Sequence, residues 1–292
     1  MDKLIKDTYY DSKDFRRFLA PAKINLFLKI LTKRKDSYHN LQSVFQLINL
    51  YDEIYLKARS DNKISVEYKN SISIPKQDDL CLKAAKIILK NFNIGVDIKI
   101  LKNIPIGAGL GGGSSNAATI FIGLNKLFNL QIDKKKLMDI GLSLGADIPF
   151  FLNGLNAWVE GVGEKITPIS LKNNNYLLII PNISIPTKNI FKDFKLTNNP
   201  IPLKMTTSFT DVQYHKNDND LHDIILKKYP YLGKLISWLE RYGNPRITGT
   251  GSSIFLKYDN EKLVEQIRKQ KPKDIKILRV RGLSVHPHLL TD

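Results

Sequence analysis

The sequence is poor in cysteine and contains no apolar run long enough to cross a membrane. Cys81 is the one cysteine among 292 residues, which excludes an internal disulfide bond and a zinc site made of cysteines. The apolar stretch at 176–185 is shorter than the roughly 20 residues that a membrane span needs, and it contains Pro181. The N-terminal residues lack the apolar core of a secretory signal. These absences predict a cytoplasmic protein with no membrane partner.

Basic residues outnumber acidic ones, with 45 lysines and arginines against 28 aspartates and glutamates and a net charge of +17. Such a charge can favour nucleic acid or another polyanion. The basic residues are scattered, however, and they form no long block with interleaved aromatics. We interpret them as a solvated, lysine-rich surface whose field can attract small polyanionic substrates, and we predict no nucleic-acid partner.

A glycine-rich run is the most informative stretch that is present. Five of the seven positions in 107–113 are glycine, and Ser114 and Ser115 follow. A strand pattern at 96–100 precedes the run, and apolar residues at helical spacing follow it. A glycine turn at a helix N-terminus offers backbone N–H groups and a positive dipole end, and it lets a ligand approach closely. The run therefore predicts a phosphate site.

Three interpretations of this loop are weaker. A Walker loop needs a lysine after the glycines, and here Gly113 is followed directly by serines. The dinucleotide fingerprint matches at Gly107, Gly109 and Gly112, but a match is easily found in a run so dense in glycine. Asp133, at the spacing of the fingerprint's acidic residue, resembles a helix N-cap instead. A plain turn that binds nothing would not require five glycines, each of which costs conformational entropy.

Alternating and helical apolar patterns predict a mixture of strands and helices. Strands are expected at 22–31, 44–50, 53–57, 64–68, 96–100, 176–180 and 275–280, a strand or hairpin at 156–168, and helices at 79–90, 134–144, 232–242 and 260–269. Residues 145–149 are expected to break the helix before them. The mixture indicates an α+β fold, divided into two domains near residues 165–175.

Three further segments carry polar groups that could serve chemistry. The segment PAKINL at 21–26 is a predicted strand with Lys23 and Asn25 on one face. The segment GADIPFF at 145–151 contains a single carboxylate, and ITGTGSS at 247–253 is a second glycine turn.

Together with the glycine loop, these segments resemble the GHMP kinase superfamily, over nearly everything after residue 17. PAKINL, SYHNL, GADIPFFL, AWVEGVGE and IPTKNIF, in that order, are similar to the members that act on a cytidine-diphosphate-linked methylerythritol in non-mevalonate isoprenoid synthesis. The resemblance implies a kinase that uses ATP and Mg²⁺ to phosphorylate the C2 hydroxyl of that substrate. It also implies a two-domain GHMP kinase fold, with a ribosomal-protein-like domain at 18–168 and a ferredoxin-like domain at 169–292. Residues 1–17 are interpreted as a polar N-terminal extension.

The resemblance places the ATP-binding residues in and around the glycine loop. Ser114 and Ser115 could cap the helix, contact phosphate or ligate Mg²⁺, and for the metal, whose ligands stay open, Ser115 is the one candidate named. The expected ATP-binding set is Lys102, Pro105, Gly107, Ala108, Gly109, Leu110, Gly111, Gly112, Gly113, Ser114, Ser115 and Asn116.

Lys23 and Asp147 are the expected catalytic pair. Phosphoryl transfer depends mainly on positioning and charge stabilisation, but something must accept the proton of the attacking hydroxyl. Asp147 can accept it, and Lys23 beside Asp147 would offset charge on the nucleophile. Taken alone, Asp147 is better interpreted as a helix N-cap and Lys23 as a surface lysine on an edge strand. The other motifs favour catalysis.

The resemblance also implies a substrate-binding set at the cytidine end. His39 could pair with the cytosine edge, while Tyr38 and Phe191 could stack on the ring. Asn25 matches a position near the substrate, and Thr187 falls in a substrate-side stretch. The ordinary alternatives are a satisfied histidine for His39 and core aromatics for Tyr38 and Phe191.

Two departures and two rival functions accompany this hypothesis. Ser37 stands where the family usually has glycine, and residues 1–17 extend beyond the usual start.

Another GHMP kinase, acting on homoserine or mevalonate-type alcohols, is one rival, but it would not need the Tyr38–His39 pair. A non-catalytic nucleotide-binding or nucleic-acid-binding protein is the other, although Lys23 and Asp147 argue against it. The expected assembly is a monomer or a weak homodimer.

Overall fold

The computed structural model combines strands and helices, and it describes residues 14–69, 74–196, 200, 202–203 and 218–289. The strands are β1 (Arg16–Lys33), β2 (His39–Arg59), β3 (Ile64–Tyr68), β4 (Gly95–Leu101), β5 (Ala157–Gly161), β6 (Lys165–Pro168), β7 (Asn175–Pro181), β8 (Arg246–Ile247), β9 (Ile254–Lys257) and β10 (Ile275–Arg281). The helices are α1 (Leu80–Ile88), α2 (Gly112–Leu127), α3 (Lys134–Leu144), α4 (Ile148–Asn153), α5 (Thr187–Asp193), α6 (His222–Lys228), α7 (Pro230–Leu239) and α8 (Glu261–Gln270). This confirms the predicted α+β class.

The strands form two sheets. In the six-stranded sheet, β2 pairs with β1 along one side and with β4 and β5 along the other, so this one strand holds the sheet together. The second sheet has the order β10–β7–β9–β8 and is antiparallel throughout. One sheet is built from strands before residue 169 and the other from strands after it. The domain boundaries expected at 17/18 and 168/169 nevertheless stay predictions, and β1 already begins at Arg16.

Three apolar clusters fill the interior. One packs α1–α4 on the first sheet, and a second packs α5–α8 on the other sheet. The third joins the two sheets: Ile24 and Val44 from one meet Tyr176 and Phe255 from the other, with Leu110 of the glycine loop among them. The glycine loop therefore rests on apolar side chains from both halves of the chain.

The end of the described chain returns to the first sheet. Leu283 N–H donates to the carbonyl of Leu47 at 2.8 Å, and His286 N–H donates to the carbonyl of Gly154 at 2.8 Å. His288 Nε2 accepts the N–H of Leu19 at 2.5 Å. Residues after β10 thus stabilise the half of the molecule that carries β1.

Several elements differ from the sequence-based prediction. The strands expected at 44–50 and 53–57 are one strand, β2, which continues through a register shift opposite Pro21 and Ala22. Residues 145–149 end α3 as expected, but a new helix, α4, begins at once, because Pro149 is tolerated in a first helical turn. Helices α5 and α6 were not predicted. The N-cap roles of Asp79 and Asp133 are confirmed, since each side chain accepts backbone N–H groups.

Candidate active site

The glycine loop needs glycine for its backbone shape at three alternate positions. Gly107, Gly109 and Gly111 have φ angles of 66°, 75° and 70°, in the left-handed region that side chains disfavour. The loop is also too crowded for side chains. A Cβ on Gly109 would lie 2.2 Å from the Thr248 carbonyl oxygen, and one on Gly107 would lie 2.1 Å from Ser184 Oγ. The expected glycine turn is therefore a tight backbone structure, closed against its neighbours.

Helix α2 begins at this loop with a free N-terminus. Gly111 is the N-cap residue and supplies no side-chain hydrogen bond, so the first N–H groups of the helix are available to a ligand. Of the roles expected for the two serines, capping is excluded by the glycine N-cap. Ser115 is fully buried, and its hydroxyl donates to the Pro21 carbonyl at 2.6 Å, whereas Ser114 is half-buried. Asn116, also buried, follows in the same turn.

The second glycine turn holds the first in place. Ser253 N–H donates to the carbonyl of Ala108 at 3.2 Å, and Ile185 N–H donates to the carbonyl of Gly107 at 3.0 Å. Thr248 Oγ1 lies 3.3 Å from the carbonyl oxygen of Gly109. The bonds from Ser253 and Thr248 bring the segments at 105–111 and 247–253 together, although nearly 140 residues separate Gly109 from Thr248.

Lys23 lies on β1 with its ammonium group buried among three partners. Nζ donates to Asn25 Oδ1 at 2.7 Å, lies 3.5 Å from Asp147 Oδ2 and is 4.4 Å from the centre of the Phe45 ring. The side chain is 6% exposed, so the alternative of a surface lysine is wrong. The backbone N–H of Lys23 donates to the carbonyl of Leu110 at 3.0 Å, which fixes β1 to the glycine loop.

Asp147 immediately precedes α4, but its side chain makes no cap hydrogen bond. The carboxylate instead faces Lys23 and is 31% exposed, so a ligand can reach it. The alternative role of a side-chain N-cap is therefore wrong. The structure brings Lys23, Asn25, Asp147 and the N-terminus of α2 together, and Lys23 lies beside Asp147 as expected.

Asp52 is a site residue that the sequence analysis missed. Its fully buried carboxylate forms an ion pair with Lys102 and accepts the N–H groups of Asn103 and Ile104 at 2.7 and 2.8 Å. Lys102 Nζ lies 3.2 Å from the position that a Cβ on Gly112 would occupy, and hence beside the first turn of α2. The one sequence signal that could have identified Asp52 is its acidic side chain within the apolar pattern of β2.

The hairpin between β1 and β2 forms the other end of the site. Ser37 has a φ of 69°, in the left-handed region that glycine adopts most easily. This conformation explains why glycine is usual at this position. Tyr38 is 61% exposed, whereas His39 is buried. Burial, and then the charge of Lys33, lowers the pKa of His39, so its ring is neutral at neutral pH. His39 Nδ1 is buried and has no hydrogen-bond partner among the described residues.

Of the two substrate-side residues expected in the second half of the chain, Phe191 contacts the hairpin and Thr187 contacts the second glycine turn. Phe191 on α5 lies against His39, with ring centroids 5.6 Å apart and planes inclined by 32°. Thr187, the first residue of α5, shares a hydrogen bond of 3.0 Å with Thr250 in the second glycine turn. Phe191 therefore packs against His39, whereas Tyr38 is exposed.

Other features restrict what the site can be. Burial raises the pKa of the Cys81 thiol to about 12, which makes that residue an inert core group. Over the described ranges, no cluster of three histidine, cysteine or acidic side chains could hold a metal ion by itself. None of the helices assigned in those ranges is both long and apolar enough to span a bilayer.

The fold and this glycine-rich site define a small-molecule kinase of the GHMP class. The family model described as the GHMP kinases N terminal domain matches residues 79–155, which include the glycine loop and Asp147. A crystal structure of homoserine kinase from Cytophaga hutchinsonii shares the fold, with a TM-score of 0.70 at 15% identity over 96% of this chain and 98% of that one.

Closer relatives identify one family within this class. The chain is 40% identical to 4-diphosphocytidyl-2-C-methyl-D-erythritol kinase of Ralstonia pickettii, over 92% of this chain and 94% of the relative. It is 43% identical to the enzyme of the same name from Polynucleobacter asymbioticus, over 92% and 93%. A crystal structure of 4-(cytidine 5'-diphospho)-2C-methyl-D-erythritol kinase has a TM-score of 0.75 at 26% identity, over 92% of this chain and all of that chain. The chain belongs to the 4-diphosphocytidyl-2-C-methyl-D-erythritol kinase family.

Proposed function

We propose that this protein transfers the γ-phosphoryl group of ATP to the C2 hydroxyl of 4-diphosphocytidyl-2-C-methyl-D-erythritol. The observation that carries the proposal is the Lys23–Asp147 pair, beside the free N-terminus of α2. Phosphoryl transfer requires three kinds of group: a carboxylate that a hydroxyl can reach, a buried cation and a row of backbone donors.

Asp147 is the proposed proton acceptor. Its carboxylate is partly exposed, and the nearest cation, Lys23 Nζ, is 3.5 Å away, beyond a tight hydrogen bond. An oxygen lone pair is therefore available to the substrate hydroxyl. The proton passes from the hydroxyl to Asp147 Oδ while the hydroxyl oxygen bonds to the γ-phosphorus and the bond to the β-phosphate oxygen breaks. Lys23 offsets the negative charge that gathers on the attacking oxygen.

The glycine loop and Lys102 are the proposed phosphate site. The N–H groups of the first turn of α2 point out of the helix towards an anion, and the positive end of the helix dipole favours negative charge there. The ammonium group of Lys102, which is paired with Asp52, lies beside Gly112 and is a further donor for a phosphate. The remaining residues of the expected ATP set line the loop through their backbones, since most of them have little or no side chain.

Magnesium is proposed to arrive with ATP and to be held mainly by the phosphates. Mg²⁺ commonly takes only one or two protein oxygens together with substrate phosphates, so a donor set without a carboxylate cluster fits it. Ser114 in the first turn of α2 is the better placed hydroxyl, because Ser115 is fully buried and donates to Pro21. The bound ion would supply charge neutralisation on the phosphoryl oxygens.

The hairpin end is the proposed cytidine site. A neutral imidazole presents one donor and one acceptor, and no residue in the described part of the chain makes a hydrogen bond to His39 Nδ1. The aromatic ring of Phe191 beside His39, and the exposed ring of Tyr38, provide stacking surfaces for a nucleobase. His39 and Ser43 lie four residues apart on the same face of β2. Because four residues of a strand span roughly 13 Å, the cytidine site lies about that far along β2 from Ser43.

ADP release by the purified protein tests this function. The assay contains ATP, Mg²⁺ and one of four additions: the cytidine-diphosphate substrate, homoserine, mevalonate or no acceptor. We expect turnover with the cytidine compound alone. Turnover with homoserine or mevalonate instead would keep the kinase and reject the cytidine substrate, whereas no turnover with any acceptor would reject the kinase.

A further inference from the structure

A buried hydrogen-bond network lies behind Lys23, and the catalytic pair does not account for it. Its centre is the side chain of Asn25 on β1. Asn25 Oδ1 accepts from Lys23 Nζ at 2.7 Å, and Nδ2 donates to Ser43 Oγ on β2 at 3.0 Å. The backbone N–H of Asn25 donates to Thr248 Oγ1 at 2.9 Å.

Ser43 fixes which way the Asn25 amide points. A serine hydroxyl has one proton, and Ser43 donates it to the carbonyl of Phe27. Its oxygen can therefore only accept from Asn25, which must present its NH₂ group to Ser43. The oxygen of the amide is then directed to Lys23, whose ammonium can only donate. Both neighbours require the same orientation, so the network leaves the amide a single state.

Thr248 connects this network to the phosphate end. Its hydroxyl lies 3.4 Å from Asn25 Oδ1 and 3.3 Å from the Gly109 carbonyl oxygen. Ser43 and Thr248 are fully buried and Asn25 is 3% exposed, so water cannot readily replace a lost hydroxyl. One threonine thus joins β1, the glycine loop and the second glycine turn.

We infer that Ser43 and Thr248 are positioning residues for phosphoryl transfer, which set the Asn25 amide and through it the place of Lys23 relative to Asp147. Lys23 Nζ lies 2.7 Å from the amide oxygen but 3.5 Å from the carboxylate. The amide therefore holds the ammonium group short of a tight ion pair, and the carboxylate keeps a lone pair for the substrate hydroxyl. This inference rests on the proposed function, in which Lys23 and Asp147 act directly.

The first test compares Ser43→Ala with Ser43→Thr. The alanine variant leaves the Asn25 NH₂ group without its acceptor, so Lys23 can move onto Asp147. Because a displacement of about 1 Å at a reacting group can cost 100-fold in rate, we expect kcat to fall about tenfold or more. The KM values for ATP and for the cytidine substrate should stay within about twofold. Ser43→Thr keeps the hydroxyl and should recover most of the rate.

A control separates this effect from general damage to the sheet. Ser65 on β3 also gives a hydrogen bond, to Asp97 Oδ1 at 2.5 Å, but it lies on an exposed strand away from the site. Ser65→Ala should leave kcat unchanged. Thermal unfolding of each variant measures the stability cost, and kcat is expressed per folded protein.

A second pair of variants keeps the test valid if Ser43→Ala does not fold. Thr248→Val replaces the hydroxyl by a methyl group of similar size, and Thr248→Ser removes the methyl group but keeps the hydroxyl. We expect kcat to fall in Thr248→Val and to be largely kept in Thr248→Ser.

The outcomes distinguish this inference from the proposed function. If the wild type turns over the cytidine substrate and Lys23→Met does not, while Ser43→Ala and Thr248→Val keep the wild-type kcat, the inference is wrong and the function stands. Equal losses in Ser43→Ala and Ser43→Thr, and in Thr248→Val and Thr248→Ser, would also overturn it, because the hydroxyl groups would not matter. If the wild type itself transfers no phosphate, the proposed function fails first.

Discussion

The phosphate end and the hairpin end of the site are built in different ways. At the phosphate end, backbone atoms of the glycine loop bond to the second glycine turn, and Lys23 and Lys102 each have a carboxylate partner. At the hairpin end, Tyr38 is 61% exposed and His39 Nδ1 is buried without a partner in the described chain. Ser37 holds this turn in a conformation that favours glycine.

The difference indicates which parts are formed before a ligand binds. Groups that stabilise a transition state act best when they are already oriented, because no reorganisation is then needed during the reaction. At the hairpin end, a bound nucleobase can complete the site itself, because it would hydrogen-bond to His39 Nδ1 and stack on the exposed ring of Tyr38. We expect variants at the phosphate end to reduce kcat or stability, and variants at the hairpin end to change substrate affinity.

The largest effect is expected for Asp147→Asn. The amide cannot take the hydroxyl proton, and a general base commonly contributes about 10²- to 10⁴-fold. We expect kcat to fall by about 10³-fold while the Kd for ATP, measured by calorimetry, changes less than about threefold. Loss of ATP binding in this variant would mean that Asp147 has a structural role.

Gly109→Ala should have the next largest effect. The new Cβ would lie 2.2 Å from the Thr248 carbonyl oxygen, at a φ of 75°. Left-handed strain alone costs about 1–3 kcal/mol, so the free energy of unfolding should fall by at least that amount and ATP binding should weaken with it. Gly113→Ala is the matched control for stability. Its Cβ would meet nothing closer than Leu80 Cδ1 at 3.6 Å, and alanine favours a helix, so unfolding should not become easier.

His39→Ala tests the hairpin end. Removing the imidazole should raise the KM for the cytidine substrate about 10- to 100-fold, the equivalent of one or two lost contacts. The KM for ATP should change less than about twofold. Steady-state kinetics with each substrate varied in turn measures both values. An equal rise in the two KM values would show that the ends of the site are not separate.

The smallest effect is expected for Ser37→Gly. Glycine adopts the observed φ of 69° without a steric cost, but it also gains freedom in the unfolded chain. We expect a net stabilisation of about 0.5 kcal/mol with unchanged kcat. Ser37→Val is the opposite control, since a β-branched side chain is strongly disfavoured there and should lower the thermal midpoint. A destabilised glycine variant would contradict this interpretation of the turn.

Local patterns predicted much of the fold. The helix bounds 134–144 agree with α3, which has apolar periodicity and a capping aspartate, and the strand bounds 64–68 agree with β3, which has an alternating pattern. The glycine loop followed from its run of glycines, and its helix followed from the apolar residues at helical spacing after that run. Patterns could not show that β2 is continuous, since its register shift depends on the neighbouring strand β1. Helix α4 was missed because its proline resembled a break.

The candidate site was predicted in its parts but not in its connections. Motifs identified Lys23, Asp147 and His39, and the structure brings the first two together. No local pattern relates Asp52 to Lys102 or Thr248 to Asn25, because 50 and 223 residues separate these pairs in the sequence. The groups that hold the predicted residues in place are therefore visible only after folding.

Calorimetric titration of cytidine diphosphate into the wild type, Asp147→Asn and His39→Ala is the most direct test of the two-ended site. We expect equal affinity in the wild type and Asp147→Asn, and affinity weaker by about tenfold or more in His39→Ala. Unchanged binding in His39→Ala, together with weaker binding in Asp147→Asn, would contradict this expectation.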